Sequence, residues 1–298
     1  MKALCFGSMN IDYVYSVDHF VEPGETLHSD NFEIICGGKG LNQVIAAAKA
    51  GADAYIAGAV SESGLFLKNH CAANGVDVSL VKESTVNTGH AIIQVDKNGQ
   101  NCILLYGGAN RDIMQSDVDH ALAGFSKGDY LILQNEINNI GYIMEKARET
   151  GMTIVFNPSP ADGELLKYPL HLVDIFVLNE IEGEQLTGES DEKKIIRAMS
   201  EKYPSAKVVL TLGRRGSVMM AGEELISQGA FATQAVDSTG AGDTFTGYFV
   251  AEMMRGASYG DALKLSSKAA SIAVSVKGAS DSIPLRADVE RADMKELT

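Results

Sequence analysis

The residues best suited to chemistry lie in Asp237-Ser-Thr239-Gly240-Ala241-Gly242-Asp243-Thr-Phe245, at the start of a strongly helical stretch, Gly242–Arg255. Glycines before a helix let the chain turn tightly and leave backbone N–H groups bare at its positive end. Such a nest cradles phosphate. Read alone, Asp243 is a first-turn carboxylate that caps the helix or answers its dipole. The nest lies outside the two commonest nucleotide motifs. No GxxxxGK[ST] occurs, and Gly38-Lys39-Gly40-Leu-Asn42-Gln43 lacks the third glycine of the dinucleotide fingerprint. Asn179 and Glu182, three apart at an expected strand-to-helix junction, face the same side of a first turn and suit a capping pair.

Other chemistries find little support. His19, His28, His70, His90, His120 and His171 are scattered, with no HExxH and no nearby Ser or Cys partner. Cys5, Cys36, Cys71 and Cys102 contain no CxxC and form no metal-spaced cluster, so reduced, buried thiols are expected. Their even spacing is not a repeat, because the flanking residues differ. The formal net charge of −14 works against nucleic acid and anionic membranes as partners, and Arg214-Arg215 is the one adjacent basic pair.

These residues need a frame. In 298 residues with 45% hydrophobic and 21% charged side chains, a large α/β domain can bury most of its surface. The apolar runs Ala3–Gly7, Ala54–Val60, Tyr130–Leu133, Thr153–Phe156, Ile175–Leu178 and Val208–Leu212 read as buried parallel strands. Between them, Leu41–Ala50, Leu65–Asn74, Ile140–Thr150, Glu180–Leu186 and Glu192–Tyr203 have helical character, as does Ser258–Val276. Alternation of this kind predicts a doubly wound, mostly parallel sheet with helices on both faces. Two regions break the rhythm. Alternation over 13–36, and a hairpin of His90–Val95 with Cys102–Tyr106 around Lys97-Asn98-Gly99, predict a small antiparallel sheet. A sheet of few strands cannot cover both its faces, so it closes over a cleft, pairs with a second copy, or does both. The expectation is a single domain, 1–298, with a lid from about 13–36 and 88–107. The first residues, MKALCFGSMN, read as a buried strand and not a signal peptide, and no apolar run nears the roughly 20 residues of a membrane span. A cytoplasmic protein is expected.

The ordered motifs Asn10-Ile-Asp12, Gly37-Gly38-Lys39-Gly40-Leu-Asn42, Gly108-Ala-Asn110, Glu136, Asn157-Pro-Ser-Pro160, Asn179-Glu-Ile-Glu182, Thr211-Leu-Gly213, Asp237–Phe245 and Lys277-Gly278-Ala279 together resemble the ribokinase (PfkB) family of carbohydrate kinases. The resemblance runs nearly end to end and implies a ribokinase-like fold and ATP-dependent transfer of the γ-phosphoryl group to a sugar hydroxyl, that of D-ribose foremost. It makes Asp243 the base that takes the hydroxyl proton, and the N–H groups of Gly240, Ala241 and Gly242 the anion hole. Asn10, Asp12, Gly38, Lys39, Gly40, Asn42 and Glu136 become sugar contacts, their carboxylates and amides suiting vicinal hydroxyls. Asn179, Thr211, Gly213, Gly216, Gly242 and Ser267 become nucleotide contacts, Ser267 standing where relatives often carry a larger residue. Asn179 and Glu182 would organise Mg²⁺ through water. Asp237 and the carbonyl of Thr239, with the carbonyls of Ala273, Val276 and Gly278 and the Ser282 hydroxyl, would hold K⁺. The family commonly pairs lids, which implies a homodimer. Ala59-Val-Ser61-Glu-Ser63-Gly64 departs from the family, which usually carries a Gly-Asp-Asp-type run there.

Read as plain structure, Asn10 and Asp12 are turn residues and the glycines open a helix. Independent turn chemistry would not reproduce the whole ordered set. Within the family, fructose, a keto-deoxy sugar acid or a nucleoside are alternative substrates. A catalytically silent sugar-binding protein is the alternative outside catalysis, since fold does not guarantee function. An NAD-dependent oxidoreductase fits the architecture but lacks the fingerprint glycines.

Overall fold

Lys2–Phe6, buried at all but its first residue, forms β1 at the heart of a computed structural model that describes residues 1–297. The chain continues through β2 (Asn10–Ser16), β3 (Asn31–Gly37), α1 (Lys39–Lys49), β4 (Asp53–Val60), α2 (Leu65–Ala73) and β5 (Asp77–Glu83). Then come β6 (Gly89–Val95), β7 (Asn101–Tyr106), α3 (Gln115–Leu122), β8 (Tyr130–Gln134), α4 (Ile140–Thr150) and β9 (Thr153–Asn157). The second half holds β10 (Ile175–Asn179), α5 (Glu180–Thr187), α6 (Glu192–Lys202), β11 (Lys207–Thr211), β12 (Ser217–Ala221) and β13 (Glu224–Gln228). It closes with α7 (Ala241–Arg255), α8 (Tyr259–Ala273) and α9 (Arg286–Arg291).

The main sheet has nine strands in the order β13-β12-β11-β10-β9-β8-β1-β4-β5. From β11 to β5 every pair is parallel, and at the β13 edge β12 runs antiparallel to both β11 and β13. Both faces are covered. Leu41 and Val44 of α1, Leu67 of α2, Phe245 and Tyr248 of α7 and Leu263 of α8 bury one face. Val118 of α3, Ile143 of α4, Leu186 of α5 and Ile195 of α6 bury the other. This is the doubly wound architecture expected from the alternating runs. Among the described residues no helix is long and apolar enough to cross a membrane.

The second sheet has the order β3-β2-β6-β7. It is mixed rather than purely antiparallel, because β2 and β6 pair in parallel at its centre. The reason is topological: β2 follows β1 and β6 follows β5, two parallel strands that leave the main sheet at the same end. Tyr13 stacks on Phe32 at 6.2 Å, and His90 packs against Tyr106 at 5.0 Å, across neighbouring strands. All six residues of β7 are exposed. Lys277, beyond α8, reaches both carboxylate oxygens of Glu33 on β3 at 2.9 Å and so ties the lid's edge to the body. The thiols correct one expectation: all four are free, but Cys102 is exposed on β7 and Cys36 only half-buried. Their strands belong to the lid, which has no second layer to cover them.

Candidate active site

Strand order reverses between β1 and β8, since the chain builds outward from β1 through β4 and β5 on one side and through β8 to β11 on the other. In open α/β sheets the crevice beyond the strands' carboxyl ends at such a reversal receives ligands. Gly7 and Ser8 leave β1 there, Asn135 and Glu136 leave β8, and α1 starts beside them. The approach is close. A Cβ on Gly40 would lie 2.5 Å from Ser8 N, and Gly38, cap of α1, has φ 96°, a conformation that glycine tolerates.

Helices α1 and α7 cross almost backbone to backbone. A Cβ on Gly247 would stand 2.4 Å from Ala46 Cβ and 2.5 Å from Gln43 O. That contact brings Asp243, in the first turn of α7, under two amides of α1. Asn42 Nδ2 donates to Asp243 Oδ2 at 3.1 Å, and Gln43 Nε2 donates to Asp243 Oδ1 at 2.9 Å. Gln43 is set in turn by Gln134, whose Nε2 donates to Gln43 Oε1 at 2.7 Å. The carboxylate is thus pinned by donors while each oxygen retains a lone pair. It is 8% exposed and lines a cavity of about 230 Å³ with Lys39, Asn157, Asn179, Glu182, Gly240 and Gly242.

Gly240, in the left-handed region at φ 75°, turns the chain into α7. Among the described residues the N–H groups of Gly240 and Gly242 meet no acceptor, while that of Ala241 donates to Ser238 O at 3.3 Å. Of the three amides expected to be bare, two are, and the tight turn engages the third. Burial pulls the Lys39 ammonium down, but the fields of Asp243, Glu136 and Glu182 outweigh it and hold the group above its ordinary range. Lys39, expected at the sugar end, lines the cavity of the glycine nest. Gln43 was not singled out from the sequence, nor was Ser8; the four-residue spacing of Lys39 and Gln43 on one helical face is the signal that marks the first.

The remaining residues expected to hold a sugar gather between β2, the start of α1 and the end of β8. Asn10 Oδ1 accepts from Asn110 Nδ2 at 2.7 Å. Glu136 accepts from the Ser8 hydroxyl and from Lys39 N. Asp12 packs where Gly37 has no side chain; a Cβ there would lie 2.0 Å from Oδ2. Burial, then the like charge of Glu136, push the Asp12 carboxyl up to about 7. Burial likewise raises Glu136, against the opposing field of Lys39. Asn42 Oδ1 is buried with no hydrogen-bond partner among the described residues.

At the end of β10, Asn179 caps α5. Its Oδ1 accepts from Glu182 N at 3.0 Å, and Glu182 returns bonds to Asn179 N at 2.9 Å and Nδ2 at 3.1 Å. The capping box exists, and it faces the 230 Å³ cavity. A larger cavity of about 620 Å³ adjoins through Thr211, Ser238 and Gly242 and is also lined by Gly213, Gly216 and Ser267. Asp237 joins two loops: Oδ1 accepts from Thr239 N at 2.9 Å and Oδ2 from Gly278 N at 3.0 Å. Burial would raise this carboxyl, but those N–H donors prevail and hold it below its ordinary value. Ala273 O accepts from Val276 N, and Ser282 Oγ donates to Ala279 O. Among the described residues no three His, Cys, Asp or Glu side chains form a metal cluster. In the segment that departs from the family pattern, Ser61 exchanges hydroxyl and backbone bonds of 2.8–3.1 Å with Thr88, tying the end of β4 to the start of β6.

The sequence model of the pfkB family carbohydrate kinases matches residues 1–286. A ribokinase of Haemophilus influenzae is 39% identical over 290 residues, 94% of this chain and 94% of its own. A deoxyribokinase of Salmonella typhi is 31% identical over 294 residues, covering 95% and 96%. The structure of Arabidopsis thaliana ribokinase complexed with ribose and ATP matches with a TM-score of 0.85 at 30% identity, over 97% of each chain.

Proposed function

The chain belongs to the pfkB family of carbohydrate kinases, and from that premise we propose that it moves the γ-phosphoryl group of ATP to the 5-hydroxyl of D-ribose. One observation carries the reading: Asp243 faces a polar cavity, pinned by Asn42 and Gln43, beside two bare amides and an ammonium. Asp243 accepts the proton as the sugar hydroxyl attacks. The N–H groups of Gly240 and Gly242, with Lys39, receive the charge on the transferring group. Phosphoryl transfer asks mainly for positioning and charge neutralisation, and this junction has the parts for both.

Asp12, Asn10, Asn42 and Glu136 hold the sugar, carboxylates and amides suiting its hydroxyls. Thr211, Gly213, Gly216 and Ser267 take the nucleotide in the larger cavity. Asn179 and Glu182 fit water-mediated Mg²⁺, because their oxygens keep lone pairs beyond the cap and hard donors suit a hydrated ion. When bound, that ion neutralises triphosphate charge. Asp237, Ser282 and the carbonyls of Thr239, Ala273, Val276 and Gly278 are a donor set that fits K⁺, one carboxylate among neutral oxygens. Such an ion would stiffen the loop carrying the anion hole. The lids of two copies pair, as argued below.

A coupled assay for ADP release over ribose, 2-deoxyribose, fructose, a keto-deoxy sugar acid and nucleosides tests the reading. Ribose is expected to have the highest kcat/KM. The deoxyribokinase relative makes 2-deoxyribose the pointed competitor; a tenfold advantage for it, or for any other acceptor, overturns the assignment. Sugar binding with no ADP release from any acceptor would indicate the silent binding protein instead.

A further inference from the structure

Across the carboxyl ends of four neighbouring strands, β10, β9, β8 and β1, runs a line of amides with Asp243 joined at its middle. An amide side chain accepts at one end and donates at the other, and its neighbours decide which end faces which. Here the decision starts at a main-chain carbonyl, which only accepts. Asn157 Nδ2 donates to Val177 O at 2.8 Å, so Asn157 turns Oδ1 the other way, toward Gln43. Gln43 must therefore present Nε2, and it spends its two hydrogens on Asn157 Oδ1 at 3.3 Å and Asp243 Oδ1 at 2.9 Å. Its Oε1 is left facing Gln134, whose Nε2 donates at 2.7 Å. Gln134 lies beside Asn157 in the register of β8 and β9. A second carbonyl fixes that far end. The Cys5 thiol gives its hydrogen to Gly40 O at 3.4 Å, nearer than Gln134 Oε1 at 4.0 Å, and its sulfur receives Gln134 Nε2 at 3.4 Å.

Both anchors dictate the same sense. Were the Gln43 amide reversed, its Oε1 would meet two oxygens, Asn157 Oδ1 and Asp243 Oδ1, and its NH₂ would meet that of Gln134. Gln43 and Gln134 are each 0% exposed, so no water relieves such opposed pairs. Gln43 is thus a donor that cannot become an acceptor. A donor of that kind favours an ionised carboxylate over a protonated one. Asn42, the other donor to Asp243, has no such lock, since its Oδ1 has no partner among the described residues.

We propose that Gln43, Asn157 and Gln134 are positioning residues, a one-way amide chain that keeps Gln43 donating to Asp243 and so presents the base ionised and in one orientation. The inference rests on the reading of Asp243 as that base. Variants of the full chain test it, with Tm to show that each is folded. At saturating sugar and ATP, kcat and its pH dependence report on the loaded enzyme. Gln43→Met keeps the length and removes the donor. It should lower kcat by about 10–100-fold, the worth of a hydrogen bond to a charged group, and change either KM by less than about threefold. The acid limb of kcat should move to higher pH, because the ionised carboxylate has lost a donor. Gln43→Glu keeps the shape and puts an acceptor where the donor stood. Two facing carboxyls share a proton, so kcat should fall further and the limb move further. The charges around Asp243 are those of Lys39, Glu136 and Glu182, and burial pushes the Cys5 thiol up to about 12; none of these groups changes among the variants.

Gln134→Met acts one step away from Asp243. It should lower kcat about fivefold in the parent chain, the worth of one net hydrogen bond, and not at all in the Gln43→Met background. Asn157→Ala, at a half-buried position, repeats that comparison where Gln134→Met does not fold. Equal kcat for Gln43→Met and Gln43→Glu overturns the inference, as does a change from Gln134→Met that is the same in both backgrounds. An inactive Asp243→Asn would in either case leave the kinase reading standing. Near-normal turnover by Asp243→Asn removes the base and this inference together.

Discussion

At the scale of single residues, two of the site's carboxylates sit in different surroundings. Asp243 receives hydrogen bonds on both oxygens from neutral amides. That suits a base that must take one proton at a fixed place. Asp243→Asn keeps the shape and removes the basicity, and kcat is expected to fall by about 10²–10⁴ with the fold intact by circular dichroism. Near-normal turnover would refute the role. Asp12 is held protonated to about pH 7 by burial and by Glu136. Two consequences follow from the sign. The ionised form, which on the proposed reading accepts two sugar hydroxyls, fills only as pH rises through about 7, so KM for the sugar should fall between pH 6 and 8. Because the folded carboxyl has the higher pKa, the folded state binds the extra proton between about pH 4 and 7. Stability present at the acid end of that window is lost as pH rises through it. Asp12→Asn should therefore raise Tm above pH 7, leave it unchanged near pH 4, and abolish the pH dependence of KM. A KM flat from pH 6 to 8 in the unmutated chain would contradict the assignment.

Elements act by bringing such residues together. Helix α1 supplies Lys39, Asn42 and Gln43, and α7 supplies Asp243, but neither arrangement exists until the two helices cross at Gly247. Gly247→Ala places a methyl group against Ala46 and the Gln43 carbonyl. Overpacking of this kind costs about 1–3 kcal/mol. The expected outcome is a lower Tm together with a fall in kcat larger than the rise in either KM, because the helices separate at the base and not at the binding surfaces. A variant as stable and as fast as the parent would show that the close approach is dispensable. The loops 236–242 and 273–282 are a second such pair, joined through the two hydrogen bonds of Asp237. Replacing a bulky organic cation with K⁺ should raise kcat by ordering the anion hole that follows Asp237. No change on that exchange would remove K⁺ from the mechanism.

On the scale of the whole molecule, the body is closed and the lid is not. One face of the main sheet is buried by α1, α2, α7 and α8, the other by α3 to α6. The four-stranded lid has no helices of its own. It leaves Phe32 46%, Ile34 55% and Leu104 68% exposed, an apolar surface larger than scattered exposed residues account for. A second lid is the cover proposed for it. Sedimentation at micromolar concentration is expected to find a dimer. Leu104→Glu should shift it to monomers and raise KM for the sugar, since the lid carries Asp12 and Asn10. A strictly monomeric parent chain would contradict the pairing.

Much of this was legible in the order of residues. The apolar runs that became β1, β4 and β8 to β11 are short, continuous and β-rich, which is what burial on both faces of a parallel sheet demands. The strands β12 and β13 lack that signature, since an edge pair is only partly buried and its residues mix polar with apolar. Helix α3 escaped notice for a similar reason, burying only Val118, Ala121 and Leu122. The glycine nest was legible because it is a local device, built from adjacent backbone, whereas Asp243 read alone is a helix cap and took its proposed role from the ordered motifs around it. Gln43 and Ser8 were not, because their meaning depends on what lies opposite, which for Gln43 is a carboxylate 200 residues away. Local composition settles which segments become strands, helices and turns. Which side chains meet, and which are left unpaired, is decided by helix crossings and strand order, and these exist only once the chain has closed on itself.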